Sequence, residues 1–208
     1  MKQLFLHPLT VRIWHWINAI CFFALIVTGL QLRYSEMSTI TKFKTAVDLH
    51  NLFGFLLIAD FFLWLGYYVI TGKIRIYLPL NPKKFLSGAL VQARYYGYGL
   101  FRGEKNPHHA SPDDKFNALQ QSAYFMIMLF LMPAQIITGV LLWDIKRFAG
   151  WIGMLGGLKV VDIVHVAIFF CLSAFLFVHV YLTTLGRTPF EHIKAMFTGY
   201  EEIDEHGE

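Results

Sequence analysis

VDIVHVAIFFCLSAFLFVHVYLTTLG, residues 161–186, decides the fold. Its length and apolarity suit a helix crossing the roughly 30 Å hydrocarbon core of a bilayer. It nevertheless carries two histidines, His165 and His179, 14 residues apart. At about 100° and 1.5 Å per residue, 14 steps return to within roughly 40° of the starting direction and climb roughly 21 Å, so both imidazoles share one helix face, one near each edge of the membrane interior.

The rest of the chain has the same character. Of 208 residues, 56% are hydrophobic and only 15% charged, against about 25% charged in ordinary soluble domains. Three further apolar runs of spanning length lie at about 12–33, 49–71 and 120–143. The expected architecture is therefore an all-α membrane protein, a single domain over residues 1–208 with four transmembrane helices. Short connections between the first and second and between the third and fourth make two antiparallel hairpins, which close naturally into a four-helix bundle. Cys21 and Cys171 fall inside apolar runs and read as small packing residues rather than a disulfide. The N-terminal segment MKQLFLHPLTVRIWHW lacks the pattern of a removable signal peptide, so the first span is expected to remain as an anchor.

Lys and Arg orient the bundle. Lys2, Arg12, the eight cations from Lys73 to Lys115, Arg187 and Lys194 give 12 on one side, whereas Arg33, Lys42, Lys44, Lys146, Arg147 and Lys159 give 6 on the other. The positive-inside rule makes both termini and the long middle loop cytoplasmic, in a bacterial or archaeal inner membrane. The net charge of +4 follows from this loop bias and gives no reason to invoke nucleic acid. Within the middle loop, KKFLSGALVQARYYGYGLF (83–101) mixes cations with apolar and aromatic residues and suits an amphipathic element on the membrane surface. The tail EEIDEHGE (201–208) reads as a solvated acidic end. IVTGLQL (26–32) and IITGVLLW (136–143) echo one another through a Thr-Gly pair, which fits two similar hairpins.

An imidazole in hydrocarbon is costly unless its nitrogens are engaged, which makes an intramembrane His a functional candidate. His15 lies near the cytoplasmic start of the first span and His50 near the opposite start of the second. By depth, His15 matches His179 and His50 matches His165. Two neutral imidazoles can fill both axial positions of a haem iron, a ligation that favours electron transfer. Gly29, 14 residues after His15, and Gly54, one turn after His50, offer bare backbone where a flat macrocycle would approach. Two other readings stand beside this one. A directly bound metal would need more ligands at each end, with Asp48 and Asp162 the nearest acids, although these read more simply as residues of first helical turns. A proton- or ion-coupled transporter would use Asp60, an acid well inside the second span.

HPLTVRIWHWINA (7–19) with VTG (27–29), HNLFG (50–54), KFNALQQ (115–121) and the H-x13-H spacing of the last span resemble the prokaryotic cytochrome b561-type family. That family includes the membrane subunits of nickel-iron hydrogenases, respiratory formate dehydrogenases and thiosulfate reductases. The resemblance covers nearly the whole chain. It implies a dihaem b-type cytochrome with His15 and His179 on the cytoplasmic-side haem and His50 and His165 on the periplasmic-side haem. It further implies electron exchange between the membrane quinone pool, menaquinone or ubiquinone, and a periplasmic iron–sulfur or multihaem subunit attached to a catalytic oxidoreductase subunit. The quinone site is expected beside the cytoplasmic-side haem, at Asn117 and Gln120, where an amide can serve both redox states of the ring. A helix-capping role for Asn117 is the competing expectation. His108 and His109 are candidates for proton uptake or simple solvated loop residues. Arg12 and Arg187, with Lys42, Lys44 or Lys159 at the other side, are the expected partners of haem propionates. Arg12 leads because it lies one turn before His15.

Overall fold

The computed structural model describes residues 2–34, 41–78, 82–108, 116–186 and 188–203. The chain runs from a short strand, β1 (Lys2–Phe5), into α1 (Leu9–Arg33) and α2 (Phe43–Ile70). It continues through α3 (Pro82–Arg94) to the third long helix, formed by α4 (Ala118–Met126), a wide π turn (Ile127–Leu131) and α5 (Met132–Trp143). A short α6 (Ala149–Met154) leads to α7 (Leu158–Thr183), and α8 (Glu191–Thr198) precedes β2 (Tyr200–Ile203). Four helices among the described residues are long and apolar enough to cross a membrane, with mean hydropathies of 1.8, 1.9, 2.2 and 2.4 in chain order. They pack as two hairpins, α1 along α2 and α5 along α7.

Each span starts earlier than its apolar run, by about six residues in α2. Backbone hydrogen bonding continues through the polar boundary, where hydropathy no longer marks the helix. This corrects the reading of Asp48 and Asp162 as first-turn residues. Asp48 instead pairs with Lys44 at 3.0 Å, while Asp162 meets Arg33 at 3.4 Å and ties the start of α7 to the end of α1.

Local chemistry explains the breaks. Pro133 lacks the N–H that a regular helix would donate to the preceding turn, and the chain widens into the π turn at Ile127–Leu131 just before it. Gly156 and Gly157 adopt φ of 96° and 95°, conformations that let α6 turn sharply into α7. The expected amphipathic element is α3. Leu86, Leu90 and Val91 stand exposed on it, as a helix lying on a membrane surface requires. Its other side approaches α4 so closely that a Cβ on Gly88 would sit 3.2 Å from Ala118 Cβ. Between the helices, Trp64 and Met132 are each 1% exposed and anchor the apolar core. Cys21 is buried, as a packing residue should be, whereas Cys171 is exposed; both are free thiols.

The terminal strands depart from the sequence reading. β1 pairs antiparallel with β2, Lys2 opposite Ile203 and Phe5 opposite Tyr200. The first part of the acidic tail is thus structured, while residues 204–208 lie outside the described residues. A strand of four residues has too little period to announce itself, and its partner is almost 200 residues away. This small sheet and α8 close one end of the bundle, hereafter the terminal end. Trp16 stacks on Phe197 with centroids 4.4 Å apart and donates from Nε1 to Met196 O at 3.2 Å.

His192 on α8 meets the Glu201 carboxylate at 3.4 Å, and that bond holds the imidazole above its ordinary value although burial pulls it down. A raised folded value means that the contribution is complete below the unfolded value of about 6.5 and is lost as pH rises through the folded one. Hydrogen exchange in β2 should therefore quicken as pH rises through that window, beyond its intrinsic rate, and His192→Gln should remove the extra step. An unchanged profile in His192→Gln would show that the pair does not hold the strand.

Candidate functional site

The four span histidines form two groups. At the terminal end, His15 of α1 and His179 of α7 face one another with ring centroids 6.2 Å apart and planes at 53°. An imidazole centroid lies about 1 Å behind its Nε2, so two metal–nitrogen bonds of about 2 Å in line would separate centroids by roughly 6 Å. The pair thus has the spacing of two axial ligands sharing one iron. Phe175, one turn before His179, stacks on its ring at 5.6 Å and 24°.

At the opposite, loop end, His50 of α2 and His165 of α7 are each held by a neighbouring helix through a Thr-Gly pair. Thr28 Oγ1 is 2.9 Å from His50 Nδ1, and Thr138 Oγ1 is 2.9 Å from His165 Nδ1. A Cβ on Gly29 would lie 3.4 Å from His50 Cε1, and one on Gly139 would lie 3.3 Å from His165 Cε1. Gly29, expected beside a macrocycle, stands against the His50 ring. At Gly54 an added Cβ would meet no atom of another element within 4 Å among the described residues. Gln135, one turn before Gly139, places its amide nitrogen 3.3 Å from His165 Nε2, while its own Oε1 is buried without a hydrogen-bond partner among the described residues. Sequence reasoning did not single out Thr28, Thr138, Gly139 or Gln135 as site residues. The Thr-Gly echo was the available signal.

Both groups fit a haem better than a bare metal ion. Each offers two imidazoles, and among the described residues no cluster of three His, Cys, Asp or Glu side chains is placed to hold a metal. Asp60, only 2% exposed, accepts from Asn18 Nδ2 at 3.3 Å, and its Oδ1 has no hydrogen-bond partner among the described residues. It lies level with the residue one turn beyond His15.

Arg12 turns inward at the terminal end. Its Nη1 donates to the Phe197 carbonyl, and its Nε is enclosed by protein. Lys44 is engaged by Asp48, as described above, and Arg187 lies outside the described residues, as does His109. Asn117 is the N-cap of α4. Its Oδ1 accepts from Gln120 N at 2.9 Å, Gln120 Oε1 accepts from Asn117 N at 3.1 Å, and its Nδ2 donates to Tyr96 Oη at 3.2 Å. The capping role is thus present, in the reciprocal form of a capping box. From this N-terminus a row of aromatic rings leads to the terminal-end histidines: Phe116 to Tyr124 at 4.7 Å, Tyr124 to Phe175 at 6.0 Å, and Phe175 to His179.

Four apolar helices with two groups of intramembrane imidazoles fit a membrane-embedded cytochrome. The chain belongs to the prokaryotic cytochrome b561 family, whose profile matches residues 6–199. It is 35% identical over 202 residues to YdhU of Escherichia coli (strain K12), a protein named as a cytochrome, across 96% of this chain and 75% of that one. It is also 23% identical over 181 residues to the cytochrome b556 subunit of formate dehydrogenase from Haemophilus influenzae, across 85% of this chain and 68% of the relative. The family implies haem b, and with it a multi-pass membrane protein of electron transport.

Proposed function

We propose that this chain is the membrane subunit of a respiratory oxidoreductase, a single cytochrome domain that holds two haem b groups and carries electrons between a periplasmic redox partner and the quinone pool. The observation that carries this reading is the depth-matched pairing of the histidines, above all the 6.2 Å separation of the His15 and His179 rings. Haem supplies one-electron exchange at iron, and the protein supplies ligation, burial and position.

In this reading His15 and His179 ligate the haem of the terminal end, and His50 and His165 that of the loop end. Arg12 neutralises a propionate at the terminal end, where its Nη2 has donors to offer. Asn117 and Gln120 receive menaquinone or ubiquinone beside the same end, within the row of aromatic rings that reaches His179. The 12 to 6 bias of Lys and Arg supports a cytoplasmic terminal end in a bacterial or archaeal inner membrane. Likeness to a formate dehydrogenase cytochrome subunit supports association with a catalytic oxidoreductase subunit, and the proposed link between the two is an iron–sulfur or multihaem subunit.

A reduced-minus-oxidised spectrum and a haem-to-protein ratio on purified protein test this directly. About two b-type haems per chain are expected, one for each bis-histidine pair. A colourless preparation that moves an ion across vesicles would instead favour a transporter built on Asp60.

A further inference from the structure

We propose that Thr28 and Thr138 are positioning residues that lock His50 and His165 in the Nδ1–H tautomer, aim each Nε2 at the loop-end haem and lower its reduction potential. The inference rests on the dihaem reading above and goes beyond it by assigning a duplicated Thr-Gly clasp to one of the two haems.

The tautomer follows from where the hydroxyl protons go. Thr28 Oγ1 lies 2.7 Å from Ala24 O, and Thr138 Oγ1 lies 2.8 Å from Ala134 O. Two oxygens so close must share a hydrogen, and a carbonyl has none to give, so each hydroxyl donates to its own helix backbone. The 2.9 Å approach of each Oγ1 to an imidazole Nδ1 then requires the proton to sit on the nitrogen. Nε2 is left with its lone pair.

The glycine next to each threonine completes the clasp, because any side chain at Gly29 or Gly139 would press on the ring that the hydroxyl holds. One device therefore occurs twice: α1 clasps the histidine of α2, and α5 clasps that of α7. An imidazole donating from Nδ1 is the more basic ligand at Nε2, and this favours the ferric over the ferrous iron. Since both ligands of the loop-end haem are clasped, their effects add on one iron.

The test is a redox titration of the holoprotein with Thr28→Val/Thr138→Val, which keeps the side-chain shape and removes both hydroxyls, beside Thr28→Ser/Thr138→Ser, which keeps them. The loop-end haem of the valine variant should rise in potential by about 59 mV, equivalent to a tenfold change in its ferrous-to-ferric ratio at fixed poise. Its low-spin ferric electron paramagnetic resonance lines should move as well, while the terminal-end haem and the serine variant stay near wild type. Repeating the titration in His179→Ala, which leaves only the loop-end haem, assigns the shift. Loss of that haem from the valine variant with retention in the serine variant equally supports the hydroxyl. Unmoved potentials, equal shifts in both haems, or a serine variant that behaves like valine overturn the inference. A wild-type preparation without two haems overturns the dihaem reading on which it rests, so the two failures are told apart by the control.

Discussion

His179→Ala is expected to halve the haem content of the purified protein, from about two b-type haems per chain to about one, while the helical bundle persists. Ala leaves an axial position that nothing on α7 can fill, and the ring facing it, His15, cannot hold a b-type haem in the low-spin state alone. The stronger form of the result comes from double variants. His15→Ala/His179→Ala removes two ligands of one iron and should cost no more haem than either single change, because the pair acts as a unit. His165→Ala/His179→Ala takes one ligand from each pair and should leave none. Both double variants remove two imidazoles from the membrane interior, so a general loss of polar groups would affect them alike. Equal haem loss in the two would refute the pairing by depth.

The depth pairing was legible because it depends only on helical rise. Fourteen residues on α7 set the vertical separation of His165 and His179, and the starts of α1 and α2 set those of His15 and His50. What could not be read was the lateral packing. Thr28 and Gly29 are close in depth to His50 by the same arithmetic, yet only the packing of α1 on α2 shows that the hydroxyl meets Nδ1 and that the glycine faces the ring. The echo IVTG/IITG was visible as a repeat without a purpose. Its purpose lies in tertiary contact, and each contact joins residues on different helices, at sequence separations of 22 and 27. The β1–β2 pairing escaped for a related reason, since two four-residue strands from opposite ends of the chain carry almost no periodic signal. Asp48 and Asp162 were misplaced by one turn because hydropathy marks the apolar core of a helix and not its hydrogen-bonded ends.

Asn117→Ser is expected to leave both haems in place and reducible by the partner while lowering quinone-linked reoxidation by about tenfold, the loss of one hydrogen bond made to the reacting ring. The choice of serine follows from the geometry of the cap. Asn117 Oδ1 accepts from Gln120 N, and a serine hydroxyl can accept that same bond, so the start of α4 stays formed. What serine lacks is the amide donor. Asn117 Nδ2 spends one hydrogen on Tyr96 Oη and retains a second, and Tyr96, having accepted, still has its own hydroxyl proton to donate. The quinone contact is thus assigned to the Nδ2 side of the amide, because the Oδ1 side is committed to the helix. Gln120 is committed in the same way through Oε1, so it holds Asn117 in place and offers the ring only its own amide NH2. Asn117→Leu removes cap and donor together, and the lost cap alone costs about 1 kcal/mol. That variant should therefore show lower protein yield as well as slow reoxidation, so serine is the cleaner probe. Haem content, partner-driven haem reduction and quinone-linked reoxidation measured in the same membranes separate the roles. If reoxidation in Asn117→Ser matches wild type while Asn117→Leu merely loses protein, Asn117 is a helix cap and the quinone binds elsewhere.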